Sequence, residues 1–238
     1  MECTYILGFW RIAENCKHDM AHYYRFMPKT FSMLKGTKIV FFYEDEDILT
    51  YVKSIADTPH FLPIRIQVTD LPTYALSADY LTSCKNQDNA FLRKHNDQKG
   101  LIHYRREYMK SGEDSYRKVI SIWTSKIFLV DRVIQENPYS TDAFAWVDVS
   151  VSRIGIRSFD KMYSINKINT NPGNMLYIGE KICNSAGLML SNKETWLSFI
   201  ALYKEKMEAQ RHSNYAHDEE TIIHLICKDH QELFNIIH

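Results

Sequence analysis

The residue that most invites chemistry is Asp148, which directly follows the apolar run Ala143-Phe-Ala-Trp-Val147. A short, β-prone apolar run predicts a buried central strand. The acid after it then stands at the strand's carboxyl edge, outside which open α/β sheets bind their ligands. A carboxylate there can hold a divalent cation, and the cation neutralises the phosphates of a leaving nucleotide. The plainer alternative is a strand-end aspartate that caps the next turn. Lys126 is the second candidate. It falls on the edge of the apolar face of the preceding helix, where a lysine either snorkels to solvent or offers phosphate a point charge. Arg153 lies just after the Asp148 strand. A third feature is His217-Asp218-Glu219-Glu220, whose acids in a helix's first turn complement the helix dipole.

These residues need a frame, and the chain supplies one. Thr4 to Trp10 predicts a buried strand. A helix follows from about His18 to Leu34, kinked or split at Pro28 and ended at Gly36. Lys38 to Tyr43 predicts a second buried strand, closed by the acidic run Glu44 to Asp47, and Ile64 to Val68 a third. Strand, helix, strand at this spacing signals a parallel α/β sheet. Asp70 to Asp114 is polar, tyrosine-rich and irregular, and predicts an insertion beside the sheet. From Ser115 to Glu136, apolar residues at three- and four-residue steps, among them Val119, Ile120, Trp123, Ile127 and Val130, mark one face of a helix that Asn137-Pro138 ends. Further strands are expected at Asn174 to Ile178 and Ala186 to Leu190. Ser191 to Glu194 has the form of a capping box. It opens a helix with Trp196, Phe199, Ile200, Tyr203 and Met207 inward, and a last helix runs from about His217 to Lys228. No linker divides these parts.

Composition excludes several classes. The 238 residues are 45% hydrophobic and 24% charged, which is ordinary for a globular chain and rules out wholesale disorder. Formal net charge is zero, so there is no basic stripe for nucleic acid; the pair Arg105-Arg106 is followed at once by a glutamate. Five scattered cysteines, without CxxC spacing, argue for a reducing compartment and against a zinc ribbon. The chain shows no signal peptide and no membrane span, and reads as cytoplasmic, with peripheral association at a membrane surface as its route to any lipid-linked substrate. His18 and His22, spaced as a metal pair, have no convincing third ligand and read as a surface pair. The marks of serine hydrolases, dinucleotide oxidoreductases and P-loop kinases are missing.

The stretch Tyr116 to Lys126, then Asn137-Pro138, then Phe144-Ala-Trp-Val-Asp148, resembles the bacterial HtrL/YibB-type family, which is associated with glycosyltransferases of the GT-A fold. The similarity runs diffusely from Thr4 to the C-terminus and is most specific in Ser115 to Arg153 and Asn184 to Ile226. It implies one α/β, Rossmann-like domain over 1–238, with a mixed, mostly parallel central sheet flanked by helices. About 1–150 would form the nucleotide-binding half and about 151–238 the acceptor side. By the resemblance, Asp148 stands for the first acid of a D-x-D-like element that ligates manganese or magnesium. This sequence reads Asp148-Val149-Ser150, so the second acid is missing and metal dependence is open. Lys126 and Arg153 would face the diphosphate. Trp10 and Arg11, after the first strand, would meet the base and a phosphate, with Glu44 and Asp45 near ribose or base. Asp218 or Glu219 would be the general base for an acceptor hydroxyl, and His217 a base or metal ligand. Small residues in Asn184 to Gly187 would let a sugar ring approach the backbone.

The implied reaction moves a sugar, of the hexosyltransferase type, from a nucleotide-sugar to a hydroxyl of a glycan or lipid-linked acceptor, in surface polysaccharide or glycoconjugate synthesis. The rival is a non-catalytic carbohydrate- or protein-binding domain on the same scaffold, favoured by Ser150. A nucleotidyltransferase would want a glycine-rich basic loop after the first strand, and Gly8-Phe-Trp-Arg11 is not one.

Overall fold

The computed structural model describes residues 2–12, 18–85, 108–154, 175–178, 186–211 and 218–237. In chain order the strands are β1 (Cys3–Phe9), β2 (Lys38–Tyr43), β3 (Phe61–Arg65), β4 (Ala143–Val147), β5 (Met175–Ile178), β6 (Leu188–Asn192) and β7 (Phe234–Ile237). The α-helices that frame them among the described residues are α1 (Met20–Met33), α2 (Glu46–Ile55), α3 (Tyr74–Lys85), α4 (Met109–Glu136), α5 (Lys193–Gln210) and α6 (Glu219–Asp229). All seven strands join one sheet in the order β3-β2-β1-β4-β6-β5-β7. β1 pairs in parallel with both β2 and β4, and β2 with β3. β6 runs antiparallel to β4 and to β5, while β5 and β7 are parallel. The fold is therefore α/β, with a mixed, mostly parallel sheet flanked by helices.

The strand residues explain this arrangement. Along β1, β2 and β4 nearly every side chain is buried, as strands covered on both faces require. Alternate residues divide between two cores. Ile6, Val40, Phe42, Phe144 and Trp146 pack under α4, α5 and α6. Tyr5, Leu7, Ile39, Phe41, Ala145 and Val147 pack under α1 and α2.

β2 and β4 have the bounds their sequences predict, and Asn137 caps α4 in the left-handed conformation, with φ 36°. Other boundaries differ. α1 runs unbroken through Pro28. The acidic run after β2 opens helix α2, because Glu46 and Asp47 suit a helix N-terminus. The third strand lies earlier than expected, at Phe61–Arg65, and Val68 starts a 3-10 turn. The polar middle contains α3, and α4 begins at Met109 with a break at Gly112, whose φ is 81°. Asn192 caps α5 in place of Ser191, accepting from the Thr195 amide at 2.8 Å. The last helix starts at Glu219, with Asp218 as its cap, and β7 follows it.

Two contacts fix α4 where it matters. The Thr73 hydroxyl meets Thr124 Oγ1 and Ser125 Oγ, each at 2.7 Å, and all three residues are buried. From the other side Tyr203 donates to the Thr124 carbonyl at 3.3 Å. A buried, satisfied polar network specifies one arrangement, and here it sets the position of the next residue, Lys126.

Candidate functional site

A cleft opens at the carboxyl ends of β1 and β4, lined by Gly8 to Trp10 on one side and Asp148 to Ser150 on the other. From β1 the chain steps outward to β2 and β3, then crosses to β4 on β1's opposite flank. This is the topological switch point, where the connections diverge and leave a crevice.

Gly8 shapes the wall. A Cβ on Gly8 would lie 2.6 and 2.7 Å from ring atoms of Trp10 and 3.4 Å from Trp146. The Trp10 ring cannot swing away freely, because its Nε1 donates to the Ile66 carbonyl at 3.0 Å. Gly8→Ala is therefore expected to cost about 1–3 kcal/mol through overpacking, read as a lower urea midpoint with an unchanged m-value.

At the floor, three charged side chains from three elements meet. Lys126 of α4 places Nζ 2.9 Å from Asp148 Oδ1 and 2.7 Å from Glu219 Oε1. All three are largely buried, with side-chain exposures of 7%, 22% and 6%. Trp146, two residues before Asp148 and so on the same strand face, donates Nε1 to Asp148 Oδ1 at 2.9 Å. Its ring also lies under the ammonium, 5.8 Å away. The Asp148 amide donates to Gly187 O at 2.7 Å, tying the strand end to the start of β6.

The electrostatics follow from this crowding. Burial works against the Lys126 charge, but Asp148 and Glu219 outweigh it and hold the ammonium above its ordinary value. Burial also raises Asp148, yet Lys126 and the Trp146 N–H together keep it below the usual carboxylate range. Glu219 goes the other way. Burial pushes it up to about 7; Lys126 opposes this, while Glu220 and Asp218 add like-charge repulsion. An acid that titrates near neutrality beside an ionised one is a common acid–base arrangement.

The structure brings together Trp10, Lys126, Asp148, Arg153, Asp218 and Glu219 around this cleft. Their roles differ from the simplest expectation in several respects. Lys126 does not snorkel to solvent: it is 5% exposed and bridges two carboxylates. Trp10 is 4% exposed and serves as wall. Arg11 is not a cleft residue, because it is drawn to the acids at the start of α2, 3.4 Å from Asp45 and 3.1 Å from Asp47; Asp45 is engaged by the same pair. Asp218 caps α6, its Oδ1 accepting from the Thr221 amide at 2.7 Å and from the Thr221 hydroxyl. Arg153 is exposed at the rim. His217 and Asn184 lie outside the described residues. His18 and His22 stack face to face with ring centroids 3.8 Å apart, a geometry that aims their rings at each other and not at a shared ion.

Three further residues contribute to the cleft in ways the sequence reading did not assign them. Glu220 accepts from the Ala186 amide at 3.1 Å and so holds the approach to β6. Trp123 and His18 line the cleft. Trp123 stands three residues before Lys126 on one helix face, and that spacing is the signal that could have found it.

The described residues of the cleft do not form a cage for a divalent cation. Among the described residues no three His, Cys, Asp or Glu side chains converge. Residue 150 is a buried serine. Asp148 Oδ1 already accepts from an ammonium and an indole.

No helix among the described residues is long and apolar enough to cross a membrane. No family model matches the chain, and no curated protein matches it in sequence. Solved structures similar in shape include the apo form of mouse xyloside xylosyltransferase 1, at 11% identity and a TM-score of 0.49, covering 100% of this chain and 85% of that one. The apo form of the glycosyltransferase GlyE from Streptococcus pneumoniae gives 11% and 0.48, covering 100% and 45%. A glycosyltransferase involved in glycosylation of the major capsid of PBCV-1 gives 10% and 0.42, covering 100% and 81%. Likeness at this level assigns no activity.

Proposed function

We propose that the protein is a glycosyltransferase that moves a sugar from a nucleotide-sugar to a hydroxyl of a glycan or lipid-linked acceptor. The observation that carries this reading is the buried Lys126–Asp148–Glu219 cluster at the switch-point cleft. It puts a fixed cation and a near-neutral carboxyl side by side where an α/β sheet binds nucleotides. The resemblance of Tyr116 to Asp148 to HtrL/YibB-type sequences names the reaction that such a pair would serve. The acceptor class, hexosyl type and place in surface polysaccharide or glycoconjugate synthesis, in the cytoplasm or at a membrane surface, rest on that resemblance alone.

In this reading Glu219, ionised, takes the proton from the acceptor hydroxyl. The acceptor oxygen attacks the anomeric carbon, the bond from that carbon to the phosphate oxygen breaks, and the electron pair leaves on the diphosphate. Lys126 and Arg153 face the charge that develops there. Asp148 holds the ammonium in place, and Trp10 and Trp146 keep the floor dry, which strengthens each of these interactions.

Asp148→Ala tests the reading. Sugar transfer or donor hydrolysis, assayed over a panel of nucleotide-sugars by release of nucleoside diphosphate, is expected to disappear while the far-UV circular dichroism of the fold persists. A wild-type protein that neither turns over nor binds any donor on the panel would favour the binding-domain reading, to which Ser150 lends its support.

A further inference from the structure

The implied divalent cation and the residues of this cleft disagree, and Lys126 is the reason. We propose that the Lys126 ammonium occupies the cation's place, so that the protein binds a nucleoside diphosphate without a metal; this rests on the glycosyltransferase reading. Asp148 and Glu219 come from elements far apart in sequence, yet both reach one point, where Nζ sits at 2.9 and 2.7 Å. Two carboxylates converging on a single cation is what a metal site requires of its first two ligands. A metal ion and the ammonium would compete for the same lone pairs and repel each other, so one excludes the other.

The position is built and not accidental. α4 is pinned immediately before Lys126, where Thr124 and Ser125 bond to Thr73, so the ammonium is held by its backbone as well as by its partners. An ammonium has three donors. Two go to Asp148 and Glu219, which leaves one for a phosphate oxygen in the cleft that Lys126 lines. Arg153, on the same cleft, adds a second positive charge, and together the two side chains match the formal charge of one divalent ion. Two other acids, Asp218 and Glu220, line the same cleft. Asp218 is committed to the Thr221 amide and hydroxyl, and Glu220 to the Ala186 amide.

The test is a thermal-shift series on the full chain with UDP, GDP and ADP, each in EDTA and in manganese chloride. Ligand that binds the native state raises the melting temperature by mass action. One of the nucleotides is expected to raise it equally in both media, and the electron paramagnetic resonance signal of free manganese is expected to be unchanged by adding wild-type protein. In Lys126→Ala the affinity in EDTA should fall roughly 10- to 100-fold, the loss of one charge-assisted hydrogen bond. Manganese should restore it, because the two carboxylates are then open to the ion. A wild-type shift that appears only with manganese overturns the proposal and leaves the glycosyltransferase reading standing. A Lys126→Ala protein that binds in EDTA as well as wild type also overturns it. No shift with any nucleotide in either medium removes both.

Discussion

Lys126→Met is expected to destabilise the protein by about 3–5 kcal/mol, the range found when one partner of a buried ion pair is removed. Methionine nearly matches the lysine stem in volume, so little of this loss comes from packing. It comes from Asp148 and Glu219, which keep their burial and lose their shared counter-charge. Asp148 retains the Trp146 N–H; Glu219 has Glu220 and Asp218 as neighbours and retains nothing of opposite charge among the groups that shift it. Against a typical total stability of roughly 5–15 kcal/mol, the loss is large. Urea denaturation should show a lower midpoint with an unchanged m-value, and moderately acidic buffer should return part of it, since Glu219 is then neutral. A loss under about 1 kcal/mol, the size of an exposed pair, would mean that the bridge is not closed in solution. Replacing Lys126, Asp148 and Glu219 together by apolar residues should cost far less than Lys126→Met alone, because no charge is then left buried.

The same cluster separates what was readable in the chain from what was not. β2 and β4 were legible to the residue because their apolar runs are continuous and sharply bounded, Lys38 to Tyr43 and Ala143 to Val147. The inward face of α5 was legible from its three- and four-residue steps; Trp196, Phe199, Ile200, Tyr203 and Met207 are all buried. Asp148 was legible from strand polarity. The direction of β6 was not, since an apolar pentapeptide has no mark that says whether it pairs parallel or antiparallel. Arg11 was misplaced because its partners, Asp45 and Asp47, are brought to it by the parallel pairing of β1 with β2, a contact with no local signature. Lys126 is the sharpest case. Helical periodicity puts it at the edge of a face, and by that rule it reaches water. It is buried because Glu219, 93 residues later, closes over it from the first turn of α6, and only the assembled fold contains that information.

Glu219→Gln is expected to raise stability and sharply lower activity in the same molecule, with a pH dependence that ties the two effects together. Burial lifts the Glu219 carboxyl from 4.5 to about 7. Between those values the native protein keeps a proton that the unfolded chain has released, so stability falls as pH rises through this window and is lost in full once pH passes the native value. The loss is on the order of 3–4 kcal/mol, from about 1.4 kcal/mol per pKa unit. Asp148 acts in the opposite sense, but only in acid. Its native value is depressed, so its contribution is complete above the ordinary carboxylate range and is lost as pH falls through the native value. Glutamine mimics the protonated Glu219 and still accepts from Lys126. Calorimetry should therefore find the melting temperatures of variant and wild type close near pH 4.5, with the variant higher by pH 8. Activity should respond in reverse. A base must be ionised, so wild-type kcat/KM should climb with pH to a plateau above about 7, and the variant should lose roughly 10²- to 10⁴-fold, the usual worth of a general base, together with the pH limb. A carboxyl held only for structure would give neither the lost limb nor a gain in stability on neutralisation. Stability surrendered at one buried side chain, and regained when its chemistry is removed, is the signature of a group kept for reaction.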